Sequence, residues 1–257
     1  MVNINYSLRQ IANSQPYPLL FATISGAHLY GFASADSDYD LRGVHILPLK
    51  QIVGLQTLEN TIEVSEENGL ELDLVTHDLG KFFALLLKRN GYVLEQLYSP
   101  LVIYSTAEHE ELKAIASGCI TRNHAYHYLG FAKTQWRLLN KENPPRIKPL
   151  LYLYRVLLTG VYLMQTGKIE ANLVNLNQEF NLPYISDLIA LKVLGTEKEK
   201  IKGIDLDFHQ REYERLREKL ALSAQNSHLP NLPTAKDALN ELLVKIRLKN
   251  YQSIDIN

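Results

Sequence analysis

Asp38 and Asp40 stand shortly after a glycine turn that begins at Gly26 and follows an apolar run over residues 18–24. Side chains at positions i and i+2 of a strand share a face, so an extended segment over residues 38–47 would present both carboxylates together. Hard divalent cations such as Mg2+ bind carboxylate oxygens, and exposed backbone amides bind phosphate. The pattern predicts a site for a metal-bound nucleoside triphosphate.

A third carboxylate is expected from a neighbouring strand, because two-metal phosphoryl-transfer sites hold their ions about 3.5–4 Å apart and use a further acidic group. Asp73 meets this requirement in the acidic and apolar segment over residues 70–75. It lies between Leu72 and Leu74, so its side chain faces away from their apolar side of the strand. Glu71 lies on the same face as Asp73 and is the competing choice.

Arg42 follows Asp40 by two residues and shares its face if the strand is regular. Two interpretations remain open at this point. The guanidinium could contact the triphosphate, or it could pair with an aspartate and hold that side chain in place.

Residues 121–155 form a basic stretch with aromatic side chains interleaved and Glu142 as its single acidic residue. Such a composition suits phosphate contacts and base stacking, although the same charges can simply cover a solvated helix face. Lys148 and Arg155 are seven positions apart and therefore lie on one side of a helix. We expect these two residues to contact the triphosphate or RNA.

The elements that must position these residues change character near residue 105, from short β-type and helical runs to mostly helical periodicity. Predicted strands cover residues 18–25, 39–46, 61–65 and 70–76, with an Asn68-Gly69 hairpin turn between the last two. Predicted helices cover residues 7–14, 28–32 (a single turn), 79–88 (with Asp78 as N-cap), 107–117, 122–140, 147–165, 173–180, 184–194, 208–224 and 235–249. The sequence predicts an α+β core over residues 1–104 and a helical domain over residues 105–257.

The composition is that of a soluble, folded protein, with 46% hydrophobic and 21% charged residues. The formal net charge is −1, so any surface for nucleic acid must be local. Cys119 is the single cysteine, which excludes an intramolecular disulfide and fits a reducing compartment. No signal-peptide pattern is evident, and no uninterrupted apolar run reaches the roughly 20 residues of a membrane span. We expect a cytoplasmic protein without a membrane partner.

These motifs resemble the DNA polymerase β-like nucleotidyltransferase superfamily. Its pattern is an apolar strand, a glycine turn, roughly ten further residues, Asp-x-[Asp/Glu] and a later strand carboxylate. The chain is most similar to the YcgL/RlaP-type nucleotidyltransferases, some of which accompany RNA-ligase genes. The likeness rests on residues 26–43, 71–81 and 90–97, continues more faintly over residues 148–155, and covers most of residues 20–165.

The resemblance implies a small mixed-sheet catalytic core of the polymerase-β type with an appended helical domain. It implies that Asp38 and Asp40 bind Mg2+, in two ions or with Mn2+ as a substitute, and that Asp73 completes the metal site or activates the acceptor hydroxyl. The implied nucleotide-binding residues are Gly26, Ala27, His28, Arg42, Lys148 and Arg155. Ala27 departs from the usual Ser or Gly, and a lost hydroxyl contact to a charged oxygen is worth about 1.5–3 kcal/mol.

The implied activity is Mg2+-dependent transfer of a nucleoside monophosphate (NMP) from a nucleoside triphosphate (NTP) to a hydroxyl. The expected acceptor is the 3′ end of an RNA, either a tRNA or a damaged RNA, and pyrophosphate is released. Two alternatives remain. One is a protein-modifying, AMP-transferring enzyme, and the other is a catalytically weak NTP-binding module, which Ala27 would explain.

Overall fold

The computed structural model describes residues 4–55, 59–66, 71–196, 200–201 and 203–254. Its residues cluster into two compact units. The first, called the sheet unit below, comprises the described parts of Met1–Ser25, Asp38–Cys119 and Pro233–Asn257. The second, called the helical unit, comprises the described parts of Gly26–Ser37 and Ile120–Leu232.

A five-stranded mixed sheet forms the centre of the sheet unit. The strands are β1 Leu19–Ile24, β2 Tyr39–His45, β3 Thr61–Glu66, β4 Leu72–Asp78 and β5 Val102–Ser105, in the spatial order β3-β4-β2-β1-β5. β2 and β4 pair in parallel, whereas β1–β2, β1–β5 and β3–β4 are antiparallel. This architecture confirms the predicted α+β fold with a small mixed sheet.

Helices alternate with strands in the first part of the chain, and the described elements after β5 are all helices. They are α1 Ile4–Asn13, α2 Gly26–Tyr30, α3 Leu49–Ile52, α4 Leu79–Leu86, α5 Gly91–Leu97, α6 Ala107–Ala116, α7 Ala125–Leu139, α8 Ile147–Thr166, α9 Leu173–Phe180, α10 Pro183–Leu194, α11 Leu206–Gln225 and α12 Lys236–Ile254. Short 3-10 turns precede α7 at Ser117–Cys119 and Arg122–His124.

Most predicted elements are confirmed to within a few residues, and the predicted cap at Asp78 is present, since its side chain accepts a hydrogen bond from the Gly80 amide at 2.9 Å. The short edge strand β5 was not predicted. The predicted Asn68-Gly69 turn lies outside the described residues. The antiparallel pairing of β3 with β4 on either side of it agrees with a hairpin.

Both faces of the sheet are covered. One face packs in an apolar cluster with α1, to which Leu8, Leu41 and Leu74 contribute fully buried side chains. On the other face, the ring of Phe21 lies 5.5 Å from that of Phe82 in α4 and 4.3 Å from that of His109 in α6. Apolar burial on both sides therefore fixes which side chains of each strand point which way.

The C-terminal helix α12 packs with α3, α4 and α6 in the sheet unit. Arg247 of α12 contacts both carboxylate oxygens of Asp78 at 2.6 Å, and each of the two side chains is only 9% exposed. The two units thus divide the chain differently from the predicted boundary after residue 104, because α6 and α12 pack with the sheet. Helical periodicity shows that a helix buries one face but not which partner covers it.

In the helical unit, α8 is the central helix, and α7, α9, α10 and α11 pack around it. By length and composition alone, α8 is long and apolar enough to span a membrane, but 83% of its apolar stretch is buried within the protein. Burial of this degree is that of a helix packed in the interior of a folded unit.

A left-handed glycine follows α2. Gly31 has φ +84°, and a Cβ built there would lie 2.5 Å from Oδ1 of Asn172. Asn172 is held in place because its Nδ2 donates to the Leu29 carbonyl at 3.2 Å and its Oδ1 caps α9. Both the backbone angle and the close approach of Asn172 require glycine at this position.

We expect Gly31→Ala to lower the free energy of unfolding by about 1–3 kcal/mol, because the new methyl group meets Asn172 and the backbone angle becomes strained. Gly130→Ala is the matched control, since Gly130 lies in α7 with no atom within 4 Å of the added Cβ. That control should be neutral or more stable by up to about 1 kcal/mol. Urea unfolding followed by circular dichroism gives both values, and equal effects of the two substitutions would contradict the packing argument.

We expect Arg247→Met to destabilise the protein by about 3–5 kcal/mol, because it leaves the Asp78 carboxylate buried without its cation. Lys245→Met, two residues away on α12, removes an exposed ion pair with Glu111 and should cost at most about 1 kcal/mol. The same urea titration compares the two variants. A loss for Arg247→Met no larger than that of the control would show that the pair does not anchor α12.

Candidate functional site

The parallel pairing of β2 with β4 places Asp40 directly opposite Asp73. Leu41, which is fully buried, faces the apolar cluster beneath α1. Because side chains alternate along a strand, Asp40 and Arg42 project from the opposite face. The structure therefore brings together two of the three predicted acidic residues.

Arg42 joins the two carboxylates. Its Nη2 donates to Oδ1 of Asp40 at 2.6 Å and to Oδ2 of Asp73 at 2.8 Å. Its Nη1 donates to the main-chain oxygens of Asp73 at 2.6 Å and Leu41 at 3.0 Å, and its Nε donates to the Tyr92 hydroxyl at 3.0 Å. Of the two interpretations left open by the sequence, pairing with the aspartates is the one that the structure contains.

The guanidinium of Arg42 stays charged in this setting. Burial by itself would lower the pKa of Arg42, but Tyr92, Asp40 and Asp73 together raise it above its ordinary value. Its side chain is 11% exposed, against 22% for Asp40 and 41% for Asp73. A permanent positive charge therefore lies between the two carboxylates.

Helix α5 supplies the outer support of this cluster. Asn90 caps the helix by accepting a hydrogen bond from the Tyr92 amide at 3.1 Å. The cap fixes the first turn of α5, and Tyr92 of that turn reaches Arg42. Nothing in the local sequence singles out Tyr92, since only the packing of α5 against the sheet brings it near.

Asp38 and Glu71 lie just outside the paired strands. Asp38 is half-buried in front of β2, and within the described residues its side chain has no hydrogen bond or ion pair. Glu71 is exposed, and its carbonyl accepts a hydrogen bond from the Tyr39 amide at 2.8 Å. Among the described residues, no three His, Cys, Asp or Glu side chains form a ready-made metal cluster. The grouping of Asp38 with Asp40 and Asp73 as metal ligands stays a prediction.

The glycine turn lies at the start of the helical unit. Gly26 has φ +62°, a left-handed angle that suits glycine, and α2 begins there. Ala27 is 3% exposed, so its methyl group is buried, and its side chain has no polar atom to offer a ligand. His28 is half-buried, with Nε2 at 3.4 Å from the Ser37 carbonyl.

Ser25, the last residue before this turn, is fully buried, and its Oγ has no hydrogen-bond partner among the described residues. Its amide donates to the Asp40 carbonyl at 2.8 Å, so its backbone is part of the sheet. A buried hydroxyl without a protein partner is a group that a polar ligand can satisfy.

Lys148 and Arg155 lie on one side of α8 with Tyr152 between them, as predicted from their spacing. Cζ of Arg155 is 3.8 Å from the ring centre of Tyr30 in α2, and Tyr30 packs edge-on against Tyr152 at 5.4 Å. Nζ of Lys148 is 5.9 Å from the Tyr152 ring centre. The helical unit therefore joins the predicted nucleotide-binding residues of α2 and α8 through two tyrosine rings. Arg155 is only 2% exposed and serves here as a cation packed on α2.

Lys192 was not predicted to have a role, and it contacts the segment between β1 and β2. It is fully buried, and its Nζ donates to Oγ of Ser34 at 2.6 Å. Ser34 in turn donates to Oδ1 of Asp36 at 2.7 Å, and the Ser34 amide donates to Oγ of Ser37 at 3.0 Å. This network organises the turn over residues 34–37, which leads directly into Asp38.

A signal for Lys192 was present in the sequence. It follows Ile185 and Leu188 at helical spacing, so it occupies the buried stripe of α10. A lysine in such a stripe must bring a polar partner with it, because an unpaired buried charge is costly. The identity of that partner, 158 residues earlier in the chain, is not encoded locally.

Comparison with known proteins agrees with these motifs. The family model of RlaP, described as an RNA repair pathway DNA polymerase beta family, matches residues 1–245. The uncharacterized protein MJ0002 of Methanocaldococcus jannaschii is 35% identical over 159 residues, which cover 60% of this chain and 63% of that protein. The uncharacterized protein YcgL of Bacillus subtilis is 27% identical over 212 residues, covering 79% of this chain and 78% of that protein. The chain thus spans less than two thirds of the archaeal relative.

Among solved structures, the chain matches a nucleotidyltransferase-like protein from Exiguobacterium sibiricum. The sequence identity is 12% and the TM-score 0.31, over 87% of this chain and 75% of that chain. A likeness of this size carries no inference about the site.

We expect Lys192→Met to loosen the turn over residues 34–37, because Ser34 loses its buried charged donor. The loss of such a hydrogen bond costs about 1–3 kcal/mol. Hydrogen exchange of peptides covering residues 33–41 should accelerate, whereas Lys168→Met, an exposed lysine of the same unit, should leave it unchanged. Unchanged exchange in Lys192→Met would show that the turn holds its shape without the lysine.

Proposed function

Because the chain belongs to the RlaP family, the RNA repair pathway DNA polymerase beta family, we propose that it is a working nucleotidyltransferase. It transfers an NMP from an NTP to a hydroxyl and releases pyrophosphate. The proposed acceptor is the 3′ end of an RNA, such as a tRNA or a damaged RNA. The observation that supports this proposal best is the in-register pair of Asp40 and Asp73 on β2 and β4.

The carboxylate oxygens of Asp40 and Asp73, with those of Asp38 one residue before β2, are hard donors of the type that Mg2+ prefers. The donor chemistry of these residues therefore suits the proposed metal. When bound, two Mg2+ ions, or Mn2+ in their place, would neutralise charge on the triphosphate and on the attacking oxygen.

Asp73 is the better placed of the paired carboxylates to receive a proton, because its side chain is 41% exposed and that of Asp40 is 22% exposed. In the proposed reaction, the acceptor hydroxyl gives its proton to Asp73, and its oxygen attacks the α-phosphorus. The bond from the α-phosphorus to the bridging oxygen breaks, and pyrophosphate leaves with the electron pair.

The triphosphate is proposed to bind at the turn over Gly26, Ala27 and His28. Since the Ala27 side chain has no polar atom, this residue is proposed to contribute only its amide. Ser25, just before this turn, carries a hydroxyl without a partner among the described residues. It offers a substitute for the hydroxyl of those superfamily members that have Ser, rather than Gly, where this chain has Ala27. Lys148 is proposed to contact the phosphates, and Arg155 to hold α2 through Tyr30.

We expect label from α-³²P NTPs to enter RNA when the purified protein is incubated with Mg2+ and total RNA. Asp40→Asn and Asp73→Asn should lower the rate by about 10²-fold or more, since each removes a reacting or ligating carboxylate. Glu71→Gln is the matched control, because Glu71 is an exposed carboxylate two residues from Asp73. It should retain activity.

Three results would contradict the proposal in different ways. Label in protein rather than RNA would favour the protein-modifying, AMP-transferring alternative. Calorimetric binding of NTP and Mg2+ without turnover would favour a binding module. An equal loss in Glu71→Gln and Asp73→Asn would remove the assigned role of Asp73.

A further inference from the structure

The position of Arg42 has a consequence for metal binding. One of its nitrogens, Nη2, lies 2.6 Å from an oxygen of Asp40 and 2.8 Å from an oxygen of Asp73. Its other donors are taken by two carbonyls and the Tyr92 hydroxyl. The protein has therefore placed its own cation at the carboxylates that the proposed function assigns to a metal.

We propose that Arg42 is an internal counter-cation that keeps the affinity of this site for free divalent metal low, so that metal and NTP bind as a pair. The inference rests on the proposed function for its choice of ligands. It concerns binding, however, and not the transfer step.

Arg42 would repel a divalent ion that bound Asp40 and Asp73. A divalent ion on the same carboxylates would lie close to the guanidinium. Even at the dielectric constant of water, charges of +2 and +1 a few ångströms apart repel strongly enough to lower metal affinity by about tenfold or more. Arg42 is 11% exposed, so water screens this repulsion incompletely.

The negative charge of a bound triphosphate would weaken the repulsion between Arg42 and a metal ion. The N–H groups of Arg42 are all engaged with protein acceptors, so a triphosphate would act on this guanidinium through its negative charge and not through new hydrogen bonds. A bound triphosphate would therefore offset the positive charge of Arg42 and relieve its repulsion of the metal. By linkage, NTP must then raise the affinity for metal by the same factor by which metal raises the affinity for NTP.

Arg42 also has a role in the metal-free protein. Asp40 and Asp73 are directly opposed on neighbouring strands, where like charges destabilise the pairing. Arg42 neutralises this repulsion while no metal is present. Removing it should make the metal-free protein less stable and the carboxylate pair more attractive to a divalent ion.

The test measures Mn2+ binding by electron paramagnetic resonance, with and without a non-hydrolysable NTP analogue. In the wild type, the analogue should tighten Mn2+ binding by about tenfold or more. Without the analogue, Arg42→Met should bind Mn2+ at least about tenfold more tightly than the wild type does. In this variant the analogue should no longer change the affinity for Mn2+. Arg42→Lys keeps the charge and should retain the coupling.

A second readout is the melting temperature, which Mn2+ alone should raise more in Arg42→Met than in the wild type. If Arg42→Met does not fold, Arg42→Gln provides the same loss of charge with a polar side chain. If the neutral variant bound Mn2+ no more tightly than the wild type, the inference would be overturned. That result is the one expected if Arg42 only holds the site in shape, because its removal would then distort the carboxylates. Absence of Mn2+ binding in every variant would overturn it as well.

This test separates the inference from the proposed function. If NTP tightens metal binding in the wild type but not in Arg42→Met, the inference is supported even when no NMP is transferred to any acceptor. Transfer of label to RNA by an enzyme whose Mn2+ affinity is independent of NTP overturns the inference alone.

Discussion

The parallel pairing of β2 with β4 is the constraint on which the candidate site depends. It sets Asp40 beside Asp73, and its register is fixed by Leu41 and Leu74, which are fully buried in the apolar cluster with α1. A slip of one residue would turn these leucines outward and the aspartates inward. Burial of the two leucines thus holds the carboxylates side by side, although the carboxylates repel one another.

Strand β4 carries an aspartate–arginine pair near each end, and the two pairs differ in exposure. At its start, Asp73 is 41% exposed and shares Arg42 with Asp40. At its end, Asp78 is 9% exposed and binds Arg247 of α12. The buried pair contributes to anchoring a distant helix, because either partner alone would be an uncompensated charge. The more open pair remains accessible to a ligand, which is what a reactive site requires.

The loop between β1 and β2 is organised by cations of the helical unit. Arg155 of α8 packs on the Tyr30 ring, and Lys192 of α10 donates to Ser34, both from buried positions. Residues 26–37 therefore pack with the helical unit, although they connect two strands of the sheet unit. The predicted phosphate-binding turn and the predicted metal ligands are joined through the chain at Ser25–Gly26 and Ser37–Asp38.

Periodicity, caps and glycine turns are local signals, and they were enough to predict most of the helices and strands, the family resemblance and the Asp-x-Asp motif. Asp78 caps its helix as predicted. Tertiary structure alone decided the partners: Arg42 pairs with Asp73 across 31 residues, and Arg247 with Asp78 across 169. Amphipathic patterning reports that a residue is buried and leaves open what covers it. Hence the placement of α12, the aspartate pairing of Arg42 and the partner of Lys192 follow only from the folded chain.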